Sequence, residues 1–323
     1  MKRLTLTAIA LSISAFANAD QLGDNGLSGE ITGLIGFTAE QSNFNTDEKR
    51  KTDGELNTSG SSESGFTAAP LGQIRYTFND RNQVFVGTSR EDLAVGDFVL
   101  EAGYTRAIGE HSSLTLSFLP SLGGETWEDP FVINQDREIT DVSSNAFRIN
   151  YANILNSNIS ADLAYFTKEL DSEQSGKLSS GDIISALDRD GSGIYSKFTY
   201  RYGINETSMF EPSLLYKSFS ADGDAMSNTT YGVELSYKKL TGRHAFAISG
   251  NYEATSYDAQ HPTFNTTQKD HTFGMFGAYE YDQLFGWKNV SFNAIAGFDI
   301  TSSNIAFYES SEIIIGTGIT YNF

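Results

Sequence analysis

The 323-residue chain contains no cysteine, only 5 Pro and 2 Trp, and few basic residues, with 22 Lys and Arg against 41 Asp and Glu. Without cysteine, no disulfide framework can stabilise the fold. The formal net charge of −19 argues against nucleic acid as a partner, because phosphate recognition requires Lys and Arg. After the amino terminus, no apolar run approaches the roughly 20 residues of a membrane-spanning helix. A membrane location would therefore require a closed β-barrel, the other structure that satisfies every backbone polar group in lipid.

The amino terminus has the features of a cleavable export signal. A basic start over residues 1–3 precedes a short apolar run over residues 4–16 and an A-x-A exit over residues 17–19. A buried amino-terminal helix is the alternative, but the following residues show strand patterning. We predict a signal peptide over residues 1–19 and one β-barrel domain over residues 20–323, in a Gram-negative bacterium.

What the chain has in abundance is alternation of apolar and polar side chains, supported by 16 Tyr and 23 Phe. In the clearest segment, 290–300, the even-numbered positions are apolar and most odd-numbered positions are small or polar. A period of two with one apolar face indicates a β-strand that has lipid or a core on one side. We predict fourteen strands, at residues 28–40, 67–78, 83–89, 97–107, 113–122, 144–153, 158–168, 193–203, 208–219, 229–239, 243–254, 270–281, 289–301 and 311–323. The weak pattern of 28–40 and 83–89 leaves twelve strands as an alternative.

Most connections between these segments alternate between short and long, although 90–96 is short and 220–228 and 302–310 are of moderate length. Outer-membrane barrels have short periplasmic turns and longer outer loops, and an even strand number puts every long loop on one side. A soluble antiparallel sandwich would also alternate, but its loops would have no reason to sort by length. The predicted fold is all-β: a transmembrane up-and-down antiparallel β-barrel of about 14 strands, located in the bacterial outer membrane.

The carboxyl terminus has a pattern that resembles the assembly signal of bacterial outer-membrane β-barrel proteins. Gly318, Tyr321 and the terminal Phe323 fit this signal, whereas Gly316 stands where the family prefers a polar residue. The resemblance implies recognition by the barrel-assembly machinery. The opening at 26–31 and the segment 44–47 also resemble porin-like barrels of marine bacteria that carry a domain of unknown function. That resemblance transfers no catalytic motif.

The polar face of the predicted strands carries charges of both signs, as a water-filled channel wall does. The predicted pore-lining residues are Arg75, Glu101, Arg148, Asp162, Lys197, Arg201, Glu211, Lys217, Glu234 and Lys238. The sequence therefore predicts a porin-like channel for passive diffusion of small hydrophilic solutes, not an enzyme, without cofactor or metal. The expected partners are these solutes, outer-membrane lipid and lipopolysaccharide.

The basic residues on neighbouring strands allow two interpretations. They are Lys197, Arg201, Lys217 and Lys238, interleaved with Glu211 and Glu234. They could form a basic track for anionic or zwitterionic solutes. Alternatively, they form an ion-pair lattice that stiffens the wall, since most charge clusters are solvated structure.

Two other functions stay open. A non-conducting barrel would display its acidic outer loops, 123–143 and 169–192, for adhesion or attachment. These loops are expected to be solvated, with divalent-cation binding as the alternative. An outer-membrane hydrolase would need histidine and aspartate together at one rim. The candidates on one outer loop are His261, His271, Asp258 and Asp270.

Two features of the loops give weaker predictions than the strand pattern does. Since fourteen strands lie between a filled eight-stranded barrel and an open sixteen-stranded one, a loop could narrow the lumen, and the apolar patch 131–133 is a candidate constriction. Asp188, Asp190 and Ser192 match the first half of a calcium loop. The twelfth position is Thr199 and not a glutamate, so we expect a plain turn there.

Overall fold

A computed structural model of the protein describes residues 22–46, 55–88, 100–120, 123–177 and 185–323. The predicted signal peptide lies outside these ranges. The strands are β1 (Gly26–Gln41), β2 (Ser62–Asn79), β3 (Asn82–Thr88), β4 (Leu100–Ile108), β5 (Ser112–Pro120), β6 (Glu125–Trp127), β7 (Ile139–Ala152), β8 (Ile159–Leu170), β9 (Gly191–Tyr200), β10 (Tyr202–Asn205), β11 (Ser208–Ala221), β12 (Asn228–Thr241), β13 (His244–His261), β14 (Thr266–Tyr281), β15 (Val290–Ser303) and β16 (Ser310–Asn322). Short 3₁₀ turns follow at Ile154–Asn156, Leu284–Gly286 and Ala306–Tyr308. Within the described ranges, no helix is long and apolar enough to cross a membrane.

The strands form one closed antiparallel barrel. Each strand pairs with its neighbours in chain order, and β1 pairs with β16 from Glu30↔Asn322 to Gln41↔Ser311, which closes the sheet. β6 is a short loop strand that pairs only with β7, and β9 and β10 together form one barrel strand. The described residues thus form fourteen barrel strands in up-and-down order, which confirms the predicted fold.

The register fixes the width of the barrel. Paired residues on neighbouring strands form a row around the wall. The row that starts at residue 26 of β1 returns to the same strand at residue 42 after one turn, so the register is offset by 16 residues, which is the shear of the barrel. Strand number and shear together set tilt and diameter, here with strands tilted about 40° from the barrel axis. A wall of this size is wider than the eight-stranded barrels that side chains fill.

The outer surface of the wall is apolar. On β16, Ile313 and Ile315 are 48% and 56% exposed, whereas Ile314 between them is 3% exposed. The same alternation exposes one face of every barrel strand; examples are Ile31, Phe66, Val86, Leu116, Phe147, Leu163, Phe198, Leu214, Val233, Ile248, Met275 and Ile300. A continuous apolar belt of this extent is unfavourable in water and suits lipid. The protein is an outer-membrane β-barrel.

The outer ends of several strands run further than predicted. β13 continues to His261, where the sequence pattern predicted an end at residue 254, and β14 begins at Thr266 and not at residue 270. The outward-facing residues of this extension are Ser256, Asp258 and Gln260. Because these side chains are polar, the paired strands leave the apolar belt and extend beyond the membrane. The predicted strand ends at 89, 97–99 and 121–122 lie outside the described residues.

Candidate functional site

All ten predicted pore-lining residues lie on the inner face of the wall. On β7, for example, Arg148 alternates with Phe147 and Ile149, which are 65% and 46% exposed on the outer face. Nine of the ten take part in ion pairs, and Lys217 lies on the same face of β11. The period of two in the sequence is therefore what brings these charges together inside the barrel.

Arg148 is the centre of the first ion-pair group. Its Nε donates to Asp162 Oδ1 on β8 at 2.9 Å, and its Nη1 lies 3.8 Å from Glu101 Oε1 on β4. The three side chains are only 7–16% exposed. The guanidinium thus connects carboxylates on both sides of its own strand, a geometry that a planar fork of donors favours.

A second group of ion pairs links β9 to β12. Lys197 Nζ lies 2.8 Å from Glu234 Oε1, across the intervening β11, and Arg201 Nε lies 2.9 Å from Glu211 Oε1. Lys238 Nζ approaches the other Glu211 oxygen at 2.6 Å. Three of the four basic residues of the possible track are thus neutralised by carboxylates, which favours the ion-pair lattice.

Arg75 has a partner that the sequence pattern did not reveal. Its Nη2 lies 3.5 Å from Glu30 Oε1 on β1. Glu30 falls in the segment whose alternation is blurred by glycines, so its inward orientation was not evident from the sequence.

The inner face also carries apolar side chains that the sequence interpretation missed. Leu34, Ala69 and Leu71 form a buried cluster, against which Ile295 packs. Phe276 and Ile314 are likewise buried, at 8% and 3% exposure. These residues lie on β14, β15, β16, β1 and β2, whereas the ion pairs around Arg148 and Lys197 lie on β4 to β12.

Glycines on neighbouring strands let these large side chains lie flat against the wall. A Cβ added at Gly318 would stand 3.3 Å from Leu34 Cδ1, and one at Gly316 would stand 3.2 Å from Ile295 Cγ1. At Gly297 an added Cβ would stand 2.5 Å from the Phe276 ring. The glycines therefore provide the space into which the apolar side chains fold sideways instead of projecting toward the barrel axis.

Described residues of the β1–β2, β5–β7, β8–β9, β13–β14 and β15–β16 connections pack together at the outer end of the barrel. We call this group of loops the cap. Trp127 on β6 is fully buried, and its indole N–H donates to the backbone oxygen of Asn43 in the β1–β2 loop at 3.1 Å. The Arg137 guanidinium stacks on the Trp127 ring and donates to the same oxygen at 2.9 Å. The Asn43 amide donates to the backbone oxygen of Phe307 in the β15–β16 loop at 2.8 Å. One hydrogen-bond network thus joins three loops that are distant in sequence.

Phe131 forms the aromatic centre of the cap. Its ring centroid lies 5.1 Å from that of His261, 6.0 Å from Phe264 and 5.2 Å from Phe307. Phe131 belongs to the connection between β5 and β7, and His261 and Phe264 belong to the β13–β14 connection. Six barrel strands separate these connections on one side and eight on the other. The contact therefore crosses nearly the full width of the mouth, in agreement with the expectation that this patch folds inward.

Several charges of the acidic loops are buried in the cap and not solvated as expected. Arg189 donates to both carboxylate oxygens of Glu173 and also to the backbone oxygen of Trp127 at 2.6 Å. Asp129 accepts hydrogen bonds from the backbone N–H groups of Phe131 at 2.9 Å and Lys177 at 3.1 Å. Other acidic residues of the two loops, such as Glu125, Asp136 and Asp171, are exposed, so the expected solvation holds for part of these loops. The buried charges arise because the two acidic loops pack on each other, which composition alone does not show.

The histidines of the hydrolase alternative are kept apart. His261 is fully buried among aromatic rings at the outer end of β13, beyond the apolar belt, and burial lowers its pKa to about 4. The Thr263 backbone N–H donates to Nδ1 at 3.2 Å, so Nε2 carries the proton and donates to the Tyr308 hydroxyl at 2.8 Å. His271 lies on the outward face of β14 and bonds to the Tyr252 hydroxyl at 2.8 Å. Both ring nitrogens of His261 are engaged without an aspartate.

The segment that resembles half of a calcium loop is a turn. Asp188 Oδ1 accepts the Asp190 backbone N–H at 3.0 Å, and Asp190 Oδ1 accepts the Leu170 backbone N–H at 2.7 Å. Both carboxylates thus satisfy backbone donors of the turn that leads into β9. In the part of the chain that the structure describes, no three His, Cys, Asp or Glu side chains cluster as metal ligands do.

The carboxyl-terminal residues are divided between the two faces of β16. Tyr321 and Phe323 are 50% and 41% exposed on the outer face, and their ring centroids are 6.3 Å apart. Gly318 faces inward beneath Leu34. The two aromatic rings therefore lie at the surface that meets lipid.

Comparison with known proteins gives one family. A family model described as "Protein of unknown function (DUF2860)" matches residues 26–322. No curated protein matches the chain in sequence.

Among solved structures, the chain is similar to the CymD monoaromatic hydrocarbon channel, with 10% identity and a TM-score of 0.49 over 98% of this chain and 94% of that one. It is also similar to a Pseudomonas aeruginosa FadL homologue, with 11% identity and a TM-score of 0.48 over 98% and 96%. A third is the outer membrane channel DcaP of Acinetobacter baumannii, with 10% identity and a TM-score of 0.41 over 98% and 100%. Identity this low carries no function from those proteins to this chain.

Proposed function

The chain belongs to the DUF2860 family, whose function is unknown, and we propose from the geometry that it is an outer-membrane channel for passive diffusion of small hydrophilic solutes. The supporting observation is the closed barrel itself, which has an apolar outer face and an ion-paired inner face. A wall of fixed, interleaved charges inside a low-dielectric membrane favours water and polar solutes in the lumen.

Solutes would pass along the mixed-charge wall. Arg148 and Lys197 each lie within 4 Å of a carboxylate, so neither sign dominates at that depth. A lumen of this kind should discriminate weakly between small cations and anions, because paired charges repel neither ion strongly.

Conductance of purified protein in planar bilayers tests the proposal. Stepwise current increases after insertion are the expected result, brief in the native protein and long-lived in a variant with an opened cap, with a reversal potential near zero in a salt gradient. Absence of conductance both in the native protein and in a variant with an opened cap would refute the channel.

A non-conducting display barrel is the second candidate, and the cap favours it. Trp127, Phe131 and Phe307 join loops across the mouth, so described parts of the outer connections lie over the outer end of the barrel. If the protein is a channel, these loop contacts at the mouth would have to form a gate that can open. A display protein would stay silent when the cap is loosened, whereas a gated channel would begin to conduct.

We also propose that the barrel-assembly machinery recognises the carboxyl terminus. Tyr321 and Phe323 are exposed on the outer face of the last strand, where another protein can reach them before the barrel closes. Deleting Phe323 should lower the amount of folded protein in the outer membrane. A Phe285→Ala variant, changed in a periplasmic turn, should accumulate normally. Equal outer-membrane levels of native and truncated protein would contradict this role.

A further inference from the structure

The inner face of the barrel is divided into two arcs of different chemistry. The charged arc carries Glu101, Arg148, Asp162, Lys197 and Glu234. The apolar arc carries Phe276, Ile295, Ile314, Leu34 and Leu71. Each arc spans several barrel strands. The strands of the apolar arc also carry inward-facing charges at Glu30, Arg75, Asp299 and Glu312, so the division applies at the level of Leu34 and Ile295 and not over the whole height of the wall.

The register places the two arcs at the same depth and opposite each other. From Arg148, the hydrogen-bonded row passes through seven strands to Ser303 on β15. A hydrogen-bonded row climbs by the full shear of 16 residues in one turn around the barrel and by eight residues in half a turn. The residue at the same height as Arg148 therefore lies on β15 eight residues from Ser303 toward the periplasmic end, and this residue is Ile295. The same count from Lys197 leads to Leu34. Two basic residues of the charged arc thus face two aliphatic residues across the lumen.

Glycines on neighbouring strands let the apolar side chains of the arc lie close to the wall. Leu34, Ile295 and Phe276 lie sideways over Gly318, Gly316 and Gly297. A solute at this depth would contact aliphatic and aromatic carbon on one side and fixed charges on the other.

We propose that the lumen selects small zwitterionic solutes that have an apolar body, a class to which apolar amino acids belong. This inference rests on the proposed channel function and names its substrate class. A solute ammonium group can pair with the carboxylates of Glu101, Asp162 or Glu234, and its carboxylate can pair with Arg148 or Lys197. Its apolar body gains contact with the opposite arc, where water is displaced from carbon surface.

Liposome swelling with L-leucine and L-asparagine tests the inference, because these solutes carry the same charges and are nearly equal in size. Leucine should enter about three-fold faster than asparagine, since its side chain is partly buried against the apolar arc. The Leu34→Asn/Ile295→Thr double variant should reduce the ratio of the two rates to about 1. Leu240→Asn, also on the inner face but near the periplasmic end, is the matched control and should keep the native ratio.

The outcomes separate the two proposals. Asparagine uptake with a native ratio of 1 or less, or a double variant that keeps the native ratio, would overturn the selectivity and leave the channel intact. No uptake of either solute, in the native protein or in a Phe131→Ala variant with a loosened cap, would overturn the channel and the selectivity together. The asparagine rate also reports whether each variant has folded. If the double variant does not assemble, Leu71→Asn alone should lower the ratio.

Discussion

Replacement of Phe131 by alanine should open the outer cap. The Phe131 ring contacts His261 and Phe307 at centroid distances of 5.1 and 5.2 Å and links loops on opposite sides of the mouth. Truncation of a fully buried phenylalanine to alanine costs about 3–5 kcal/mol, from lost contacts and the cavity that remains, and the partly buried Phe131 should fall at the lower end of this range. If about 3 kcal/mol of this stabilises the closed cap, the equilibrium between closed and open caps shifts about 100-fold toward open.

Single-channel recording at pH 7 measures this shift as open probability. The Phe131→Ala variant should be open for most of the recording, whereas the native protein should be mostly closed. Phe285→Ala is the control, because Phe285 is 81% exposed in a turn at the opposite end of the barrel and should leave the open probability unchanged. A Phe131→Ala protein that folds but gates like the native protein would show that the aromatic cluster does not close the mouth.

Three further predictions follow from the cap and the wall. Because burial holds the pKa of His261 at about 4, below its usual value of 6.5, the closed cap is fully stable above about pH 6.5 and loses stability as the pH falls toward 4. At pH 5 the closed cap is destabilised by about 2 kcal/mol, so open probability should rise between pH 7 and pH 5. His261→Gln should abolish that rise, and a rise that persists in the variant would assign the pH dependence to another group. Arg148→Gln removes one positive charge from the lumen and leaves two carboxylates without their guanidinium, so the reversal potential in a salt gradient should shift toward cation selectivity; an unchanged potential would place Arg148 outside the conduction path. Gly297→Leu fills the space under the Phe276 ring, which stands 2.5 Å from an added Cβ, and should lower either the melting temperature or the conductance step; no change in both would contradict the packing described.

The strand pattern was predictable because each barrel strand has lipid on one side. On β15 every second residue from Val290 to Ile300 is apolar, and the structure has a strand over Val290–Ser303. The same parity identified the inward charges, including Arg148 and Lys197. The wall separates lipid from the lumen, and these two environments determine which side chains alternate along a strand. The alternation is therefore visible in a single sequence.

The pairing of those charges and the apolar arc were not predictable in the same way. Lys197 reaches Glu234 across an entire strand, and a period-two pattern does not reveal such a contact. The run Ile313-Ile314-Ile315 is apolar on both faces, but counting alternation treats its middle residue as an irregularity, although Ile314 lines the inner wall. The sequence signal for the apolar arc was an apolar residue, such as Ile314, at a position whose parity points into the lumen.

The cap depends on contacts between loops that are far apart in the chain. Phe131 and Phe307 are separated by many strands in sequence and meet only because the barrel closes. The acidic composition of the loops predicted solvation, whereas Arg189 and Glu173 form an ion pair with both side chains 7–8% exposed. Loop composition does not determine which loops pack together, so these contacts were not predictable from the sequence.

The central claim is that consecutive residues of one strand face lipid and an aqueous lumen in turn. The natural chain has no cysteine, so single cysteines can be introduced and labelled without background. In liposomes that carry Ile149→Cys or Asn150→Cys protein, a membrane-impermeant thiol reagent supplied on both sides should label Asn150→Cys rapidly and leave Ile149→Cys protected. Equal labelling at the two positions, or faster labelling of Ile149→Cys, would contradict the account.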